Sequence, residues 1–226
     1  GNTFKPACFF LSRQNNFRLS FTFYFLAVYI PGDILSPFNL REYYLKVVQG
    51  KPADIKSRVI QNFLYLLSEL YGLVVKTRNF FYTCGLLKSV RLPVPVISVG
   101  NITTGGTGKT PVVEYIARFL HKKGKRVVIL SRGYGAYRQH EESKNIFNDE
   151  YLLYRENIPD IPNVLNKDRV KGGREAIQHF QAECLLLDDG FQHLRLTRDL
   201  DIVVVDALNP FGYDHIIPRG LLRESL

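Results

Sequence analysis

A chain of 226 residues, 46% of them hydrophobic, is long enough to bury a sizeable core as one large domain or as a domain with an appendage. Its three cysteines, Cys8, Cys84 and Cys184, are odd in number, far apart and without a C-x-x-C pair, which excludes a disulfide-stapled miniprotein, gives no zinc signature and fits reduced thiols in a cytoplasmic setting. Thirty Lys and Arg against 21 Asp and Glu leave a net charge of +9, which suits an anionic partner: a nucleotide, a phospholipid surface or a nucleic acid.

In chain order, Lys5 stands where N-myristoylation of Gly1 would need Ser or Thr. Residues 19–30 form an apolar run too short to span a bilayer as a helix, and no small-residue cleavage site follows, only Pro31-Gly32-Asp33. Residues 1–50 are therefore an unassigned leader, expected to be poorly ordered or interfacial rather than a signal peptide. From residue 54 to about 81 the spacing is helical, with Ile60, Phe63, Leu64, Leu67, Leu70, Tyr71 and Val74 on one broad face. Lys56 and Arg58 lie toward one end and Lys76, Arg78, Lys88 and Arg91 toward the other. Such a helix either lies in an anionic membrane interface or packs on the domain that follows, and spacing alone favours packing.

The run Val94-Pro95-Val96-Ile97-Ser98-Val99 reads as a strand, Gly105-Gly106-Thr107-Gly108-Lys109-Thr110 as a turn, and residues 112–120 as a helix. A strand that feeds a Gly-rich turn opening a helix directs backbone N–H groups and the positive end of the helix dipole at phosphate oxygens, and the lysine adds a full charge. The first glycine of the G-x-x-x-x-G-K-[ST] pattern is replaced by Thr103, while the G-K-T triplet is intact. The cradle is assigned to Thr103, Thr104, Gly105, Gly106, Thr107, Gly108, Lys109 and Thr110. Cations at Lys122, Lys123 and Lys125, around Gly124, close the helix.

A second strand follows at 126–130, and Gly133-Tyr134-Gly135 turns the chain into a polar stretch, loop by composition, through about residue 150. Two more short apolar runs, at 184–187 and 201–205, complete a pattern of buried strands alternating with helices. The fold class is α/β, a P-loop NTPase-like, mostly parallel sheet with flanking helices, preceded by an N-terminal amphipathic helix. Asp188 and Asp189 close the strand at 184–187, where the carboxyl ends of parallel strands face the ligand crevice. They are candidate magnesium carboxylates, acting with the Thr110 hydroxyl and nucleotide phosphates. Gln192 and His193 follow closely enough to reach the same site.

Taken together, Arg91-Leu92-Pro93-Val94-Pro95-Val96-Ile97-Ser98-Val99-Gly100-Asn101-Ile102-Thr103, the P-loop, Leu130-Ser131-Arg132-Gly133-Tyr134-Gly135, Asp188-Asp189-Gly190-Phe191-Gln192-His193, Arg198-Asp199-Leu200-Asp201-Ile202 and Leu222-Arg223-Glu224 strongly resemble the tetraacyldisaccharide 4'-kinases, the lipid A 4'-kinases of Gram-negative bacteria. The resemblance runs from about Leu66 to the end of the chain. It implies an ATP- and Mg²⁺-dependent transfer of the γ-phosphoryl group to the 4'-hydroxyl of a membrane-embedded tetraacyldisaccharide 1-phosphate, at the cytoplasmic face of the bacterial inner membrane, with the protein peripheral. It also favours the interfacial role for the helical segment, so the organisation expected is a leader at 1–50, an interfacial segment at 51–92 and a P-loop kinase domain at 93–226.

The resemblance implies particular roles as well. The family's base is the Asp of a Gly-Asp-Glu-Pro motif; Asn148-Asp149-Glu150-Tyr151 stands there, departing at both flanks, so Asp149 is the candidate base. Arg223 matches the family's phosphate-binding arginine and Glu224 its magnesium-site glutamate, while Lys109 neutralises developing charge. The family carries a further C-terminal lobe that supplies a histidine partner for the aspartate. These residues do not include it, so nucleotide binding without efficient turnover is expected. The alternatives are a regulatory ATPase of the MinD and ArsA type, whose deviant loop carries a lysine where Thr104 stands, and a non-catalytic, membrane-associated nucleotide-binding module. No aromatic-basic interleaving points to nucleic acid, and no obligate protein partner is evident.

Overall fold

A computed structural model describes residues 8–9, 44–45, 47–49, 55–132 and 149–225. The turn at Gly133-Tyr134-Gly135 and most of the leader lie outside these residues.

After β1 (Cys8–Phe9) the described chain runs through α1 (Ile55–Thr83), β2 (Val96–Gly100), α2 (Lys109–Lys122), β3 (Val127–Ser131), α3 (Asp149–Asn157), β4 (Asn163–Leu165), α4 (Arg169–Phe180), β5 (Cys184–Asp188) and β6 (Leu200–Val204). A short 3₁₀ turn follows at Gly212–Asp214. The strand order is β1-β6-β2-β5-β3-β4, with β6 through β4 parallel and the two-residue β1 antiparallel at the edge. The α/β class expected from the alternating pattern is the one observed.

The buried strands lack polar alternation because both of their faces are covered. Along β3, Val127 and Ile129 join Val113 and Ala117 of α2 and Tyr154 of α3 in one core layer. Val128 and Leu130 face the opposite layer, with Val170 and Ala176 of α4 and Leu92 and Leu196 from the flanking loops. Leu186 and its neighbours Leu185 and Leu187 divide in the same way along β5. Helices therefore cover the sheet on both sides and leave the carboxyl ends of the strands to the loops.

The chain is helical from Asp149, where composition predicts loop to about residue 150. Tyr154, 1% exposed, and Ile158, 4% exposed, are drawn into the core, so tertiary burial overrides local composition. Asp168 caps α4 by accepting from the backbone N–H groups of Val170 and Lys171.

The long helix α1 forms as predicted, but the domain covers only part of its apolar face, where Leu64, Leu67, Tyr71 and Val74 are half-buried. The residues buried against the domain are Ser57, Ser68, Gly72, Val75, Arg78 and Tyr82. Ile60, Phe63 and Leu70 are exposed, together with Ile55, Val59, Leu66, Leu73 and Phe80. The inward stripe combines apolar packing of Phe81 and Tyr82 with Leu194 and polar contacts: the Ser68 hydroxyl donates to the Ile216 carbonyl at 2.6 Å, and the Tyr71 hydroxyl donates to the Arg223 carbonyl at 3.2 Å. Arg78, expected at the basic outer end, is instead buried and donates to the Gln192 carbonyl at 3.1 Å. Burial lowers its pKa to about 10, so it remains charged at neutral pH. No described helix is long and apolar enough to cross a membrane. Within the expected leader, Val47 and Val48 are buried, and Arg219 donates to the Val48 carbonyl.

Gly100 ends β2 where the chain after β5 crosses it, and a Cβ there would stand 2.8 Å from the backbone nitrogen of Phe191. Backbone cannot yield as a side-chain tip can. Gly100→Ala is expected to destabilise the protein by about 1–3 kcal/mol, read from the denaturant midpoint at unchanged slope. An unchanged midpoint would show that this crossing is not close-packed.

Candidate active site

Two adjacent parallel strands deliver the two halves of the site. The register of β2 with β5 pairs Val99 with Asp188, so the loop leaving β2 and the Asp188-Asp189 corner emerge side by side. Gly190 seals the corner by donating its N–H to the Val99 carbonyl at 3.2 Å, while Asp189 takes a positive φ of 51°.

The P-loop occupies the expected place. Gly108 has φ 76°, a left-handed conformation that glycine adopts without strain, and it is the N-cap of α2, whose first residue is Lys109. Asn101, fully buried, braces the loop from inside: its side-chain amide donates to the Gly105 carbonyl at 3.3 Å and to the Thr107 hydroxyl at 3.2 Å. Gly105, Gly106 and Gly108 are exposed, and Thr107, Lys109 and Thr110 are half-buried.

Residues 221–223 lie antiparallel to 102–104 and bring a distant segment across the loop. Thr103 bridges Leu222, the Thr104 N–H donates to the Leu221 carbonyl at 2.7 Å, and the Arg223 N–H donates to the Ile102 carbonyl at 2.8 Å. Thr103 is consequently buried, and Thr104, at the position of the deviant-loop lysine, is tied to Leu221 through its hydroxyl as well.

This pairing seats Arg223 opposite Lys109. Arg223 Nη1 lies 3.0 and 3.1 Å from the two carboxylate oxygens of Asp189 and 3.0 Å from Gln192 Oε1. Lys109 Nζ is 3.7 Å from Asp189 Oδ1. Gln192 Nε2 donates to the Asn101 carbonyl at 2.8 Å, which ties this charge cluster to the floor of the P-loop. Two cations thus meet on one carboxylate at a Gly-rich helix start, the kind of place where anions bind.

Asp188 is 2% exposed and accepts from the Tyr154 hydroxyl at 2.8 Å, while Arg169 donates to its carbonyl at 3.0 Å. Glu224 is also buried. The Thr110 hydroxyl and the carboxylates of Asp188, Asp189 and Glu224 are hard oxygen donors of the kind Mg²⁺ takes. Among the described residues no group of three or more His, Cys, Asp or Glu is gathered for a metal. That donor set fits a Mg²⁺ that draws the rest of its shell from phosphate and water rather than from a protein cage. Asp149 is the first residue of α3, and its side chain lies outside the described residues.

Sequence patterns had not marked Asn101, Tyr154, Arg169 or Arg78 for the site. Asn101, inside the strand-to-loop motif, carried the only usable signal; the others arrive through tertiary packing.

His193 does not join the cluster. Burial, with Arg169 and Arg198 nearby, lowers its pKa from 6.5 to about 4, so it is neutral at physiological pH. Between those values the unfolded chain binds a proton that the folded chain refuses. Its contribution is therefore complete above pH 6.5 and is lost as pH falls toward 4. The stability lost over that window is expected to be ~2–3 kcal/mol, and His193→Gln should flatten the slope. Urea unfolding at several pH values reads this, and an identical slope in the variant would contradict it.

Comparison with known proteins gives a consistent match. A family model described as tetraacyldisaccharide-1-P 4'-kinase (LpxK) matches residues 60–226. The chain is 39% identical over 200 residues to a tetraacyldisaccharide 4'-kinase of Halothermothrix orenii, covering 83% of this chain and 52% of that protein. It is 41% identical over 197 residues to one of Pelobacter propionicus, covering 82% and 55%. Among solved structures it resembles LpxK from Aquifex aeolicus in complex with ATP, with a TM-score of 0.62 and 39% identity over 73% of this chain and 54% of that one. The chain spans about half the length of the curated relatives it matches.

Proposed function

The chain belongs to the tetraacyldisaccharide-1-P 4'-kinase family, and from that premise we propose that it serves the transfer of the γ-phosphoryl group of ATP to the 4'-hydroxyl of tetraacyldisaccharide 1-phosphate, giving lipid IVA. The observation that carries this reading is the convergence of Lys109 and Arg223 on Asp189 at the mouth of a P-loop. A carboxylate held by both cations stands where phosphate oxygens would satisfy the same charges.

In this reading the backbone from Thr103 to Thr110 cradles the nucleotide phosphates, Lys109 and Arg223 hold the oxygens that gain charge during transfer, and Gln192 keeps Arg223 in line. Thr110, Asp188, Asp189 and Glu224 would hold Mg²⁺, which would supply charge neutralisation at the phosphates. Asp149 takes the proton of the attacking sugar hydroxyl. The regulatory-ATPase alternative loses support because Thr104 is tied to Leu221. The exposed apolar residues of α1, with Lys56, Arg58 and Lys76 beside them, suit an anionic membrane surface. In this reading the chain sits peripherally on the cytoplasmic face of a bacterial inner membrane, beside its lipid acceptor.

Phosphate transfer from labelled ATP to tetraacyldisaccharide 1-phosphate tests the chemistry. Lys109→Ala is expected to abolish ATP binding. In a protein that also carries the family's further C-terminal lobe, Asp149→Asn should lower turnover by about 10²- to 10⁴-fold with ATP affinity retained. Transfer at the wild-type rate by the Asp149 variant would remove it as base, and unchanged ATP affinity in Lys109→Ala would remove the P-loop assignment.

Co-sedimentation with vesicles containing anionic lipid tests the surface. Binding should weaken with salt and should fall at least several-fold when Phe63, Leu66 and Leu70 are replaced by Ser. If the triple variant sediments like the wild type, α1 is not the contact.

A further inference from the structure

We infer that Tyr154 is a positioning residue for the phosphoryl-transfer site, whose hydroxyl locks the helix that begins with Asp149 to the carboxylate of Asp188. The inference rests on the reading of Asp188 as a magnesium ligand given above.

Tyr154 lies in α3 and is 1% exposed, among the largest fully buried side chains of the protein. Its ring packs in the same core layer as Val99, Ile129 and Leu186, where a phenylalanine would fill the ring space equally well. The hydroxyl is the part that packing does not require. A buried hydroxyl costs free energy unless it is hydrogen-bonded, and this one donates to Asp188 Oδ2 at 2.8 Å across a separation of 34 residues.

Both ends of that bond matter to the chemistry. At one end, a carboxylate can turn about its terminal torsion, and a fixed donor on one oxygen selects one orientation of the group. Arg169 fixes the backbone of the same residue by donating to its carbonyl at 3.0 Å, so Asp188 is held at main chain and side chain together. At the other end, Tyr154 is five residues along from Asp149 in a nine-residue helix, about 7.5 Å along its axis. The same bond therefore sets how far the start of α3 stands from the end of β5. A partner beyond the direct ligands orients them, and its loss typically lowers metal affinity by about 10- to 100-fold.

The test measures ATP affinity by calorimetry with and without Mg²⁺ in the wild type, Tyr154→Phe, Asp188→Asn and the double variant. Tyr154→Phe is expected to reduce the ratio of the two affinities by about tenfold or more, and to add no further loss in the Asp188→Asn background. A wild-type ratio in Tyr154→Phe, or losses that simply multiply in the double variant, would overturn the inference. A wild type whose ATP affinity ignores Mg²⁺ would overturn both the inference and the magnesium reading, whereas a Mg²⁺-dependent wild type with an unaffected Tyr154 variant overturns the inference alone.

A merely structural role would lower the metal-free melting temperature and both affinities alike, leaving their ratio intact. Should Tyr154→Phe not fold, 3-fluorotyrosine at position 154 of the otherwise wild-type protein gives a second readout. Its ¹⁹F resonance should move when Mg²⁺ is added to the ATP complex and stay still in Asp188→Asn. A resonance that ignores Mg²⁺ in the wild type would overturn the inference.

Discussion

The site depends on one piece of strand pairing, the parallel ladder of β2 with β5, in which Val99 stands opposite Asp188. These strands are separated in sequence by α2, β3, α3, β4 and α4, yet their carboxyl ends finish side by side and bring the Gly-rich loop and the acidic corner together. Parallel strands buried on both faces are held in that register by apolar packing from helices above and below. Slippage by one residue would turn Leu185, Leu186 and Leu187 to the wrong layers. The chemistry thus inherits its geometry from the hydrophobic core.

A second, shorter pairing completes the arrangement. The antiparallel contact of residues 102–104 with 221–223 brings Arg223 across the loop and makes Asp189 the shared partner of two cations. Gln192 and Asn101 tie that cluster back to the floor of the P-loop by hydrogen bonds. An arginine so held meets an anion with little of its side-chain freedom left to lose, as preorganised electrostatic stabilisation requires.

Helix α1 inverts the usual division of labour in an amphipathic helix. Its serines, its glycine and Arg78 face the domain together with Val75 and Tyr82, and polar contacts to the loops at 192, 216 and 223 fix it beside the site, while many of its large apolar side chains, among them Phe63, Leu66, Leu70 and Leu73, face outward. Exposed apolar surface on this scale marks an interaction site rather than a core. The same helix donates to the carbonyls of Gln192 and Arg223, which seats its inward face beside the Asp189 cluster.

By itself the sequence determined the α/β class, the positions of the P-loop strand and helix, the acidic corner at Asp188-Asp189 and the family resemblance. Each of these is written in local patterns: hydrophobic period, a Gly-rich turn, a carboxylate pair closing an apolar run. The long helix was legible for the same reason, since its period exceeds seven turns. The tertiary structure alone decided which face of that helix packs, because the domain covers only part of the apolar stripe read from the sequence and leaves Ile60, Phe63 and Leu70 exposed. It also turned Arg78 inward, drew Tyr154 into the core and made α3 helical from Asp149. Those outcomes depend on contacts between residues far apart in the chain, such as Tyr154 with Asp188 and Arg78 with Gln192, and no local pattern encodes a partner at that distance.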